Sequence, residues 1–294
     1  MKLHLINPEK KGERIWNRAL LAPLGLMCLA AYTPEEVETR IIDENLEKVD
    51  FVDRPDLVGI TSMTATASRA YEIADAYRER DVKVVMGGIH ASMLPEEAMQ
   101  HADAVVVGEA ETIWPKVLSD ADAGRLEPLY RMQEHDDFRN PLHARNSVID
   151  RKNYWMANNM QTARGCPHDC SFCSVTTFNG RHMRHRELDN VLAEIESMSK
   201  PKFMPKKMIP FVDDNIAANP KRAKEVFKAL IPLNINWGSQ ACISFGEDEE
   251  LGGLAAESGC RMLFIGLESI SSFTLEEAVK RKNKLEKYAE NLSR

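Results

Sequence analysis

Short β-branched apolar runs alternate with stretches of helical period through the first 125 residues, the rhythm of an open parallel sheet covered on both faces. The pattern predicts five strands: Leu3 to Asn7, Glu38 to Asp43, Leu57 to Ser62, Val82 to Met86 and Ala104 to Val107. It places helices near Leu24 to Tyr32, Ala67 to Arg80, Pro95 to Gln100 and Thr112 to Leu118. The first of these is expected to be buried and to stop at Thr33-Pro34, because the residue before a proline resists helical angles. Arg125 to Asn159 has prolines, mixed charges and little periodicity, and reads as a linker packed across an interface through Tyr154 and Trp155. From Met160 the alternation resumes with strands Met160 to Arg164, Met208 to Val212, Ile235 to Ile243 and Arg261 to Leu267. Helices are expected near Glu187 to Ser199, Lys221 to Leu230, Glu249 to Ser258 and Leu275 to Leu292, giving four βα units.

Length and charge narrow the picture. With 294 residues the chain is about two domains by the usual prior, and 44% apolar residues suffice for real cores. A net charge of -7 argues against a broad footprint for nucleic acid. The runs Lys206-Lys207 and Lys280-Arg281-Lys282 read as solvated faces. The apolar run Ala19 to Tyr32 carries Pro23 and Gly25 and is too short to span a membrane. It also starts too late for a signal peptide, so a cytoplasmic location is expected.

Three of the six cysteines fall within eight residues, Cys166, Cys170 and Cys173 in Arg-Gly-Cys-Pro-His-Asp-Cys-Ser-Phe-Cys-Ser. Thiolates grouped so tightly imply a metal centre, and the scattered Cys28, Cys242 and Cys260 read as small buried residues. A structural zinc site closes with four ligands, whereas this triplet offers three sulfurs. A 4Fe-4S cluster bound by three cysteines leaves one iron open to an outside molecule. Zinc completed by His168, His182 or His185, or a disulfide cluster, are the alternatives.

With Gly165 before the first cysteine, Phe172 beside the last and a strand-like run leading in, the segment resembles the radical S-adenosylmethionine superfamily. The resemblance implies that the amine and carboxylate of S-adenosylmethionine chelate the open iron, and that one electron then cleaves it to a 5'-deoxyadenosyl radical. It implies that Phe172 packs near the adenine and that Asp213 and Asp214, in Phe211-Val-Asp-Asp-Asn215, hold the methionyl amine. An ordinary helix cap over Asn215 to Asn219 is the rival reading there. Ser239 and Gln240 end the third strand. Gly266-Leu-Glu-Ser269 resembles the fourth-strand run that touches ribose and methionyl carboxylate, which brings in Glu268 and Ser269. Glu268, taken as buried, requires a partner. Arg181, Arg184 and Arg186 read as screening the cluster, binding an acidic substrate, or forming an exposed basic loop. Barrels of this superfamily usually have six βα units, so the four counted imply a partial, truncated barrel with an unpaired apolar edge at Gly266 to Ser269. The Leu275 to Leu292 helix or a partner is expected to shield it.

Gly59-Ile-Thr-Ser62, Val85-Met-Gly-Gly-Ile-His-Ala-Ser92 and Val107-Gly-Glu-Ala-Glu111 resemble the cobalamin-binding domain that often precedes a radical S-adenosylmethionine domain. At a carboxyl sheet edge, Gly87 and Gly88 remove side chains where a large planar ligand approaches backbone, and Ser62 and Thr64 supply hydroxyls. Gly108 and Glu109 end the neighbouring strand. Gly87-Gly88 is also consistent with a plain strand-to-helix turn. No Asp-x-His-x-x-Gly run exists in the chain, so the resemblance implies base-off cobalamin without a protein histidine ligand, or a degenerate domain. His90 and His101 read as loop or surface histidines.

The fold class expected is therefore α/β: a doubly wound, flavodoxin-like cobalamin domain (1–125), a linker (126–159), and the first four βα units of a radical domain (160–294). The cofactor pairing implied by resemblance points to methyl transfer to an unactivated carbon of a small molecule, fed by a reducing donor such as flavodoxin or ferredoxin. Other radical rearrangements, cyclisation, or a non-catalytic remnant are the alternatives. Methylthio transfer is disfavoured, because those enzymes carry a second upstream cysteine triplet and only Cys28 lies there.

Overall fold

The computed structural model describes residues 1–10, 19–200, 205–279 and 283–293. Two compact units divide the chain, one formed by Met1–Asp136 with Leu142–Ala157, the other by Asp137–Pro141 with Asn158–Arg294. No helix among the described residues is long and apolar enough to cross a membrane.

The first unit runs β1 (Lys2–Asn7), β2 (Ala19–Leu21), α1 (Leu24–Ala31), β3 (Glu38–Asp43), β4 (Leu57–Thr61), α2 (Ala67–Arg78), β5 (Lys83–Gly87), α3 (Ile89–Met93), α4 (Pro95–Ala98), β6 (Ala104–Val107), α5 (Trp114–Asp122), β7 (Leu129–Arg131) and β8 (Tyr154–Met156). Six strands form one parallel sheet in the order β3-β1-β4-β5-β6-β7. The chain reverses direction across the sheet between β1 and β4, as in flavodoxin-like folds, whose ligands bind at that carboxyl-edge switch point. Both faces are covered, which is why the strands read as near-continuous apolar runs. Leu3, Leu5 and Val106 pack with Met27, Trp114 and Val117 on one side. Ile6, Val84 and Met86 pack with Ile73, Ala74 and Tyr77 on the other. Each such fully buried aliphatic side chain contributes about 1.5–3 kcal/mol.

The stretch read as a linker is largely part of this unit. It supplies β7 and β8, the latter paired with β2. Three-residue strands carry too little periodicity to show in sequence. They are held by single polar contacts: Tyr130 donates its hydroxyl to Asp120 Oδ2 at 2.9 Å, and Tyr154 to Asp43 Oδ2 at 3.2 Å. Trp155, by contrast, is exposed.

The second unit runs β9 (Ala163–Arg164), α6 (Val175–Phe178), β10 (Arg184–His185), α7 (Leu188–Ser197), β11 (Met208–Pro210), α8 (Pro220–Leu230), β12 (Asn236–Cys242), α9 (Glu249–Glu257), β13 (Cys260–Gly266), α10 (Ser272–Glu277) and α11 (Tyr288–Ser293). β11, β12 and β13 form a parallel sheet, Met160 bridges Phe211 in parallel, and β9 pairs antiparallel with β10. Phe211 and Phe227 pack tilted against Trp237 in the core, with ring centroids 5.7 and 4.8 Å from it.

The helix expected over Leu275 to Leu292 is not continuous. α10 ends at Glu277, capped by Ala278, and Val279 takes a left-handed φ of 55°, which a β-branched residue tolerates poorly inside a helix. The basic run Lys280 to Lys282 lies outside the described residues. Beyond it, Asn283 Nδ2 donates to the carbonyls of Gly266 and Leu267 at 3.1 and 3.0 Å, and Tyr288 donates its hydroxyl to Leu267 O at 2.9 Å. These contacts close the end of β13. Among the described residues β13 pairs only with β12, and Met262 and Phe264 on it are exposed. Lys207, expected on a solvated face, donates its ammonium to Ile195 O at 2.7 Å at the carboxyl end of α7.

Candidate cluster loop and cobalamin edge

β9 leads directly into the three cysteines. Gly165 has φ +90°, and a Cβ there would stand 2.4 Å from His182 O, so the entry to the loop requires glycine. The loop is pinned from several sides. Cys166 N–H donates to Gly180 O at 3.3 Å, Cys173 N–H to Cys170 O at 3.1 Å, and Ser171 N–H to Ala278 O at 3.2 Å. Asp214 Oδ2 accepts Gly165 N–H at 3.1 Å and the Asn179 amide at 3.0 Å. Arg184 donates to Asn179 O at 2.9 Å.

Cys166, Cys170 and Cys173 are free thiols, each half-buried. Burial pushes the Cys166 thiol up, and Cys242, Asp214 and Cys173 add negative charge in the same direction. A positively charged metal group would reverse this by stabilising the thiolate. Among the described residues no three His, Cys, Asp or Glu gather round one metal-ion position. A cubane takes its thiolates on separate irons, so three soft donors spread along one loop fit it better than they fit a single ion.

The remaining rim residues are placed unequally. Asp213 is fully buried and accepts Thr162 N–H at 2.6 Å together with the Thr162 hydroxyl. Desolvation raises its pKa to about 6 against these hydrogen bonds. Asp213 and Asp214 thus tie down the strand that feeds the cysteine loop. Ser239, also buried, donates its hydroxyl to Phe211 O at 2.8 Å, and Gln240 donates to Asp213 O at 3.0 Å. The helix cap is real, and it is Asn219, whose side chain accepts Arg222 N–H. Asn215 instead donates to Cys242 Sγ at 3.2 Å.

Glu268 departs from expectation, being exposed rather than buried, with φ +65°. Ser269 Oγ beside it accepts Ser271 N–H at 3.0 Å. Phe172 is exposed as well, while Arg186 is buried against Glu194 at 2.5 Å and is not part of an exposed basic loop. Cys28, Cys242 and Cys260 are only partly buried.

In the first unit, Gly88 has φ +93°, and a Cβ on it would lie 2.8 Å from Ser62 O. This glycine is needed by the chain's own turn, where His90 N–H donates to Ser62 O at 3.0 Å and Ser62 N–H to Gly87 O at 3.0 Å. Ser62 is buried beneath it. Gly87 tolerates a side chain: an added Cβ would make ordinary contact with Val106, nearest at 3.8 Å. Gly108 N–H donates to Ser92 Oγ at 3.0 Å, and buried Glu109 lies 3.2 Å from His135 Nδ1. The edge over β4, β5 and β6 therefore presents short side chains and backbone, which suits a broad planar ligand.

His90 is neither a loop nor a surface residue. It is buried, with Nδ1 3.3 Å from Thr64 Oγ1 and Nε2 3.1 Å from the Tyr71 hydroxyl. Tyr71 in turn donates to Glu97 at 2.9 Å and stacks on His101 at 4.2 Å. The sequence signal was available in its place, two residues after Gly88 at the opening of α3.

Residues 160–294 match the Radical SAM superfamily, and residues 18–118 match the B12 binding domain. The chain thus carries a B12-binding domain followed by a radical S-adenosylmethionine domain. Among its relatives is bacteriochlorophyllide d C-8(2)-methyltransferase of Chlorobaculum tepidum, 34% identical over 93% of this chain and 63% of that protein. The C-12(1)-methyltransferase of the same organism is 30% identical over 97% of this chain and 64% of that one. The chain thus spans less than two thirds of the length of these curated relatives. The solved structure of the radical S-adenosylmethionine methyltransferase TsrM from Kitasatospora setae, with cobalamin and a 4Fe-4S cluster bound, superposes with a TM-score of 0.70 at 20% identity. It covers 93% of this chain and 62% of that one, and shows the shared fold. The cofactors that these two domain matches imply are a 4Fe-4S cluster, S-adenosylmethionine and cobalamin.

Proposed function

We propose that this chain takes part in radical S-adenosylmethionine-dependent methyl transfer to an unactivated carbon of a small molecule. One observation carries the reading: a glycine-gated loop of three free thiols occurs in the same chain as a B12-binding sheet. The methyltransferase relatives support it. When bound, the cluster and cobalamin supply the electron that cleaves S-adenosylmethionine and the methyl group that is transferred.

The chain's own residues bind and orient. Cys166, Cys170 and Cys173 would hold the cluster, and Asp214, through Gly165 and Asn179, fixes the loop that presents them. Phe172, Gln240, Glu268 and Ser269 would line the S-adenosylmethionine side, with Asp213 and Ser239 holding that rim from beneath. Gly87, Thr64 and Gly108 would meet the corrin, with Ser62, Gly88 and Glu109 shaping the turns below. The corrin would be base-off, with no histidine on cobalt, since His90 is engaged by Thr64 and Tyr71. The electron would come from a low-potential flavodoxin or ferredoxin, and six free cysteines suit a reducing cytoplasm.

Anaerobic reconstitution with iron, sulfide and cobalamin, followed by assay of 5'-deoxyadenosine and methylated product, tests the reading. Reconstituted material that binds both cofactors yet cleaves no S-adenosylmethionine under a strong reductant would overturn it. Electron paramagnetic resonance of cobalt(II) tests the base-off assignment, which nitrogen splitting from a bound imidazole would contradict.

A further inference from the structure

A cavity of about 520 Å³ opens beside the cysteine loop, between β10 and the first turns of α7 and α8. Its volume lies in the range of about 300–1,000 Å³ usual for small-molecule sites. Arg139, Arg184, His185 and Arg222 line it. Arg186 also contributes, but its guanidinium is already taken by Glu194 and Asn190. Two carboxylates, Asp137 and Glu187, complete the wall, with side chains 68% and 55% exposed. The acids therefore stand at the rim with Arg139, itself 67% exposed, while the more enclosed Arg222 and His185 lie deeper.

Arg222 already pairs with the exposed Glu225 at 3.1 Å and donates to Arg186 O at 2.6 Å, and Arg184 donates to Asn179 O at 2.9 Å, so the weakly held groups are Arg139 and His185. Arg139 approaches Asp137 and Glu187 only at 3.8 and 3.9 Å, long exposed pairs of little worth. His185 Nε2 is buried and takes no hydrogen bond, a rare state for a polar atom. Burial, then the positive charge of Arg222, holds the His185 imidazole below its usual basicity. Guanidinium groups lining a concavity suit a carboxylate or phosphate, to which each can present a fork of donors.

The place is close to the chemistry. Arg184 pairs with Arg164 across the β9–β10 ladder, and Arg164 stands two residues before Cys166. The Cα atoms of Arg184 and Cys166 are thus no more than about 13 Å apart, from the spacing of paired strands and of successive residues. An acid group held in the cavity leaves the body of its molecule within reach of the cysteine loop.

We propose that this cavity is an oxyanion site, recognising a carboxylate or phosphate on the methyl acceptor through Arg139, Arg184 and Arg222. The identity of the ligand as the acceptor rests on the methyl-transfer reading, whereas the existence of the anion site does not. A small anion is favoured over a flat acidic protein surface, which would meet Asp137 and Glu187 along with Arg139 and would not reach the more enclosed Arg222.

Isothermal titration calorimetry of the cofactor-free chain with orthophosphate and, separately, glutarate tests the site. Saturable binding is expected, weakened about tenfold or more by the double change Arg139→Gln with Arg184→Gln, the loss of charge-assisted contacts. Arg181→Gln, outside the cavity on an exposed pair with Asp169, is expected to leave affinity unchanged. Preference for orthophosphate assigns a phosphorylated acceptor, and preference for glutarate a carboxylic acid. Should the double variant not fold, movement of the His185 ring resonances by phosphate in the unaltered chain serves in its place. Absence of saturable binding at millimolar anion overturns the site. So does affinity indifferent to the double change, equal loss in Arg181→Gln, or binding at this face of an acidic electron-transfer protein but of neither small anion. These measurements need no cluster, cobalamin or S-adenosylmethionine, so failure of the methyl-transfer reading leaves their outcome intact.

Discussion

Asp213 accepts both the backbone N–H and the hydroxyl of Thr162, joining the loop after β11 to the strand that delivers the cysteines. The carboxylate replaces a stretch of backbone ladder there. Asp213→Ala leaves two buried donors unmet, so a loss of about 2–4 kcal/mol is expected in the chemical denaturation of the second unit. With a folded-state pKa of about 6 against 3.8 unfolded, the carboxyl's burial is least costly below 3.8. Stability attributable to it declines as pH rises through about 6. In Asp213→Asn that slope is expected to vanish.

Gly88→Ala is expected to damage the first unit. The left-handed φ and a Cβ 2.8 Å from Ser62 O together cost about 2 kcal/mol or more. Gly87→Ala meets ordinary contact distances and is expected to keep the fold while weakening cobalamin. Thermal melts and equilibrium dialysis with hydroxocobalamin separate the two effects. Equal affinity in Gly87→Ala and the parent chain would remove Gly87 from the corrin surface.

Acid is expected to act on His4. It is fully buried on β1, 3.4 Å from Asp53 Oδ2 but without hydrogen-bond geometry on either ring nitrogen. Desolvation lowers its pKa below 6.5, with Asp53 opposing. Above 6.5 the ring is neutral in folded and unfolded chains alike, and its contribution to stability is intact. As pH falls below 6.5 the unfolded chain binds the proton first, and stability is lost until the folded value is passed. Urea midpoints measured on both sides of 6.5 are expected to fall less with acid in His4→Leu.

Cys166→Ala, Cys170→Ala and Cys173→Ala are each expected to abolish the broad visible absorbance of anaerobically reconstituted protein and its labile sulfide. Cys242→Ala, which removes the thiol that Asn215 contacts, is expected to retain both. Loss of the cluster in Cys242→Ala with the others unaffected would reassign the ligand set.

The apolar runs by themselves determined the strands of the two larger sheets, β7 excepted. A strand buried on both faces must be apolar at nearly every position, as in Val84-Val85-Met86, and such runs announce themselves without tertiary context. The cysteine triplet was equally plain, because its spacing is local. Packing decided the rest. β7 and β8 are too short to show a period, and they are held where Tyr130 finds buried Asp120 on the preceding helix and Tyr154 finds buried Asp43 on distant β3. The Leu275 to Leu292 pattern looked helical, yet Val279 turned left-handed and Asn283 and Tyr288 were drawn to the end of β13. Glu268 emerged exposed and His90 buried for the same reason: burial belongs to the assembled neighbourhood, and no residue's own chemistry states it.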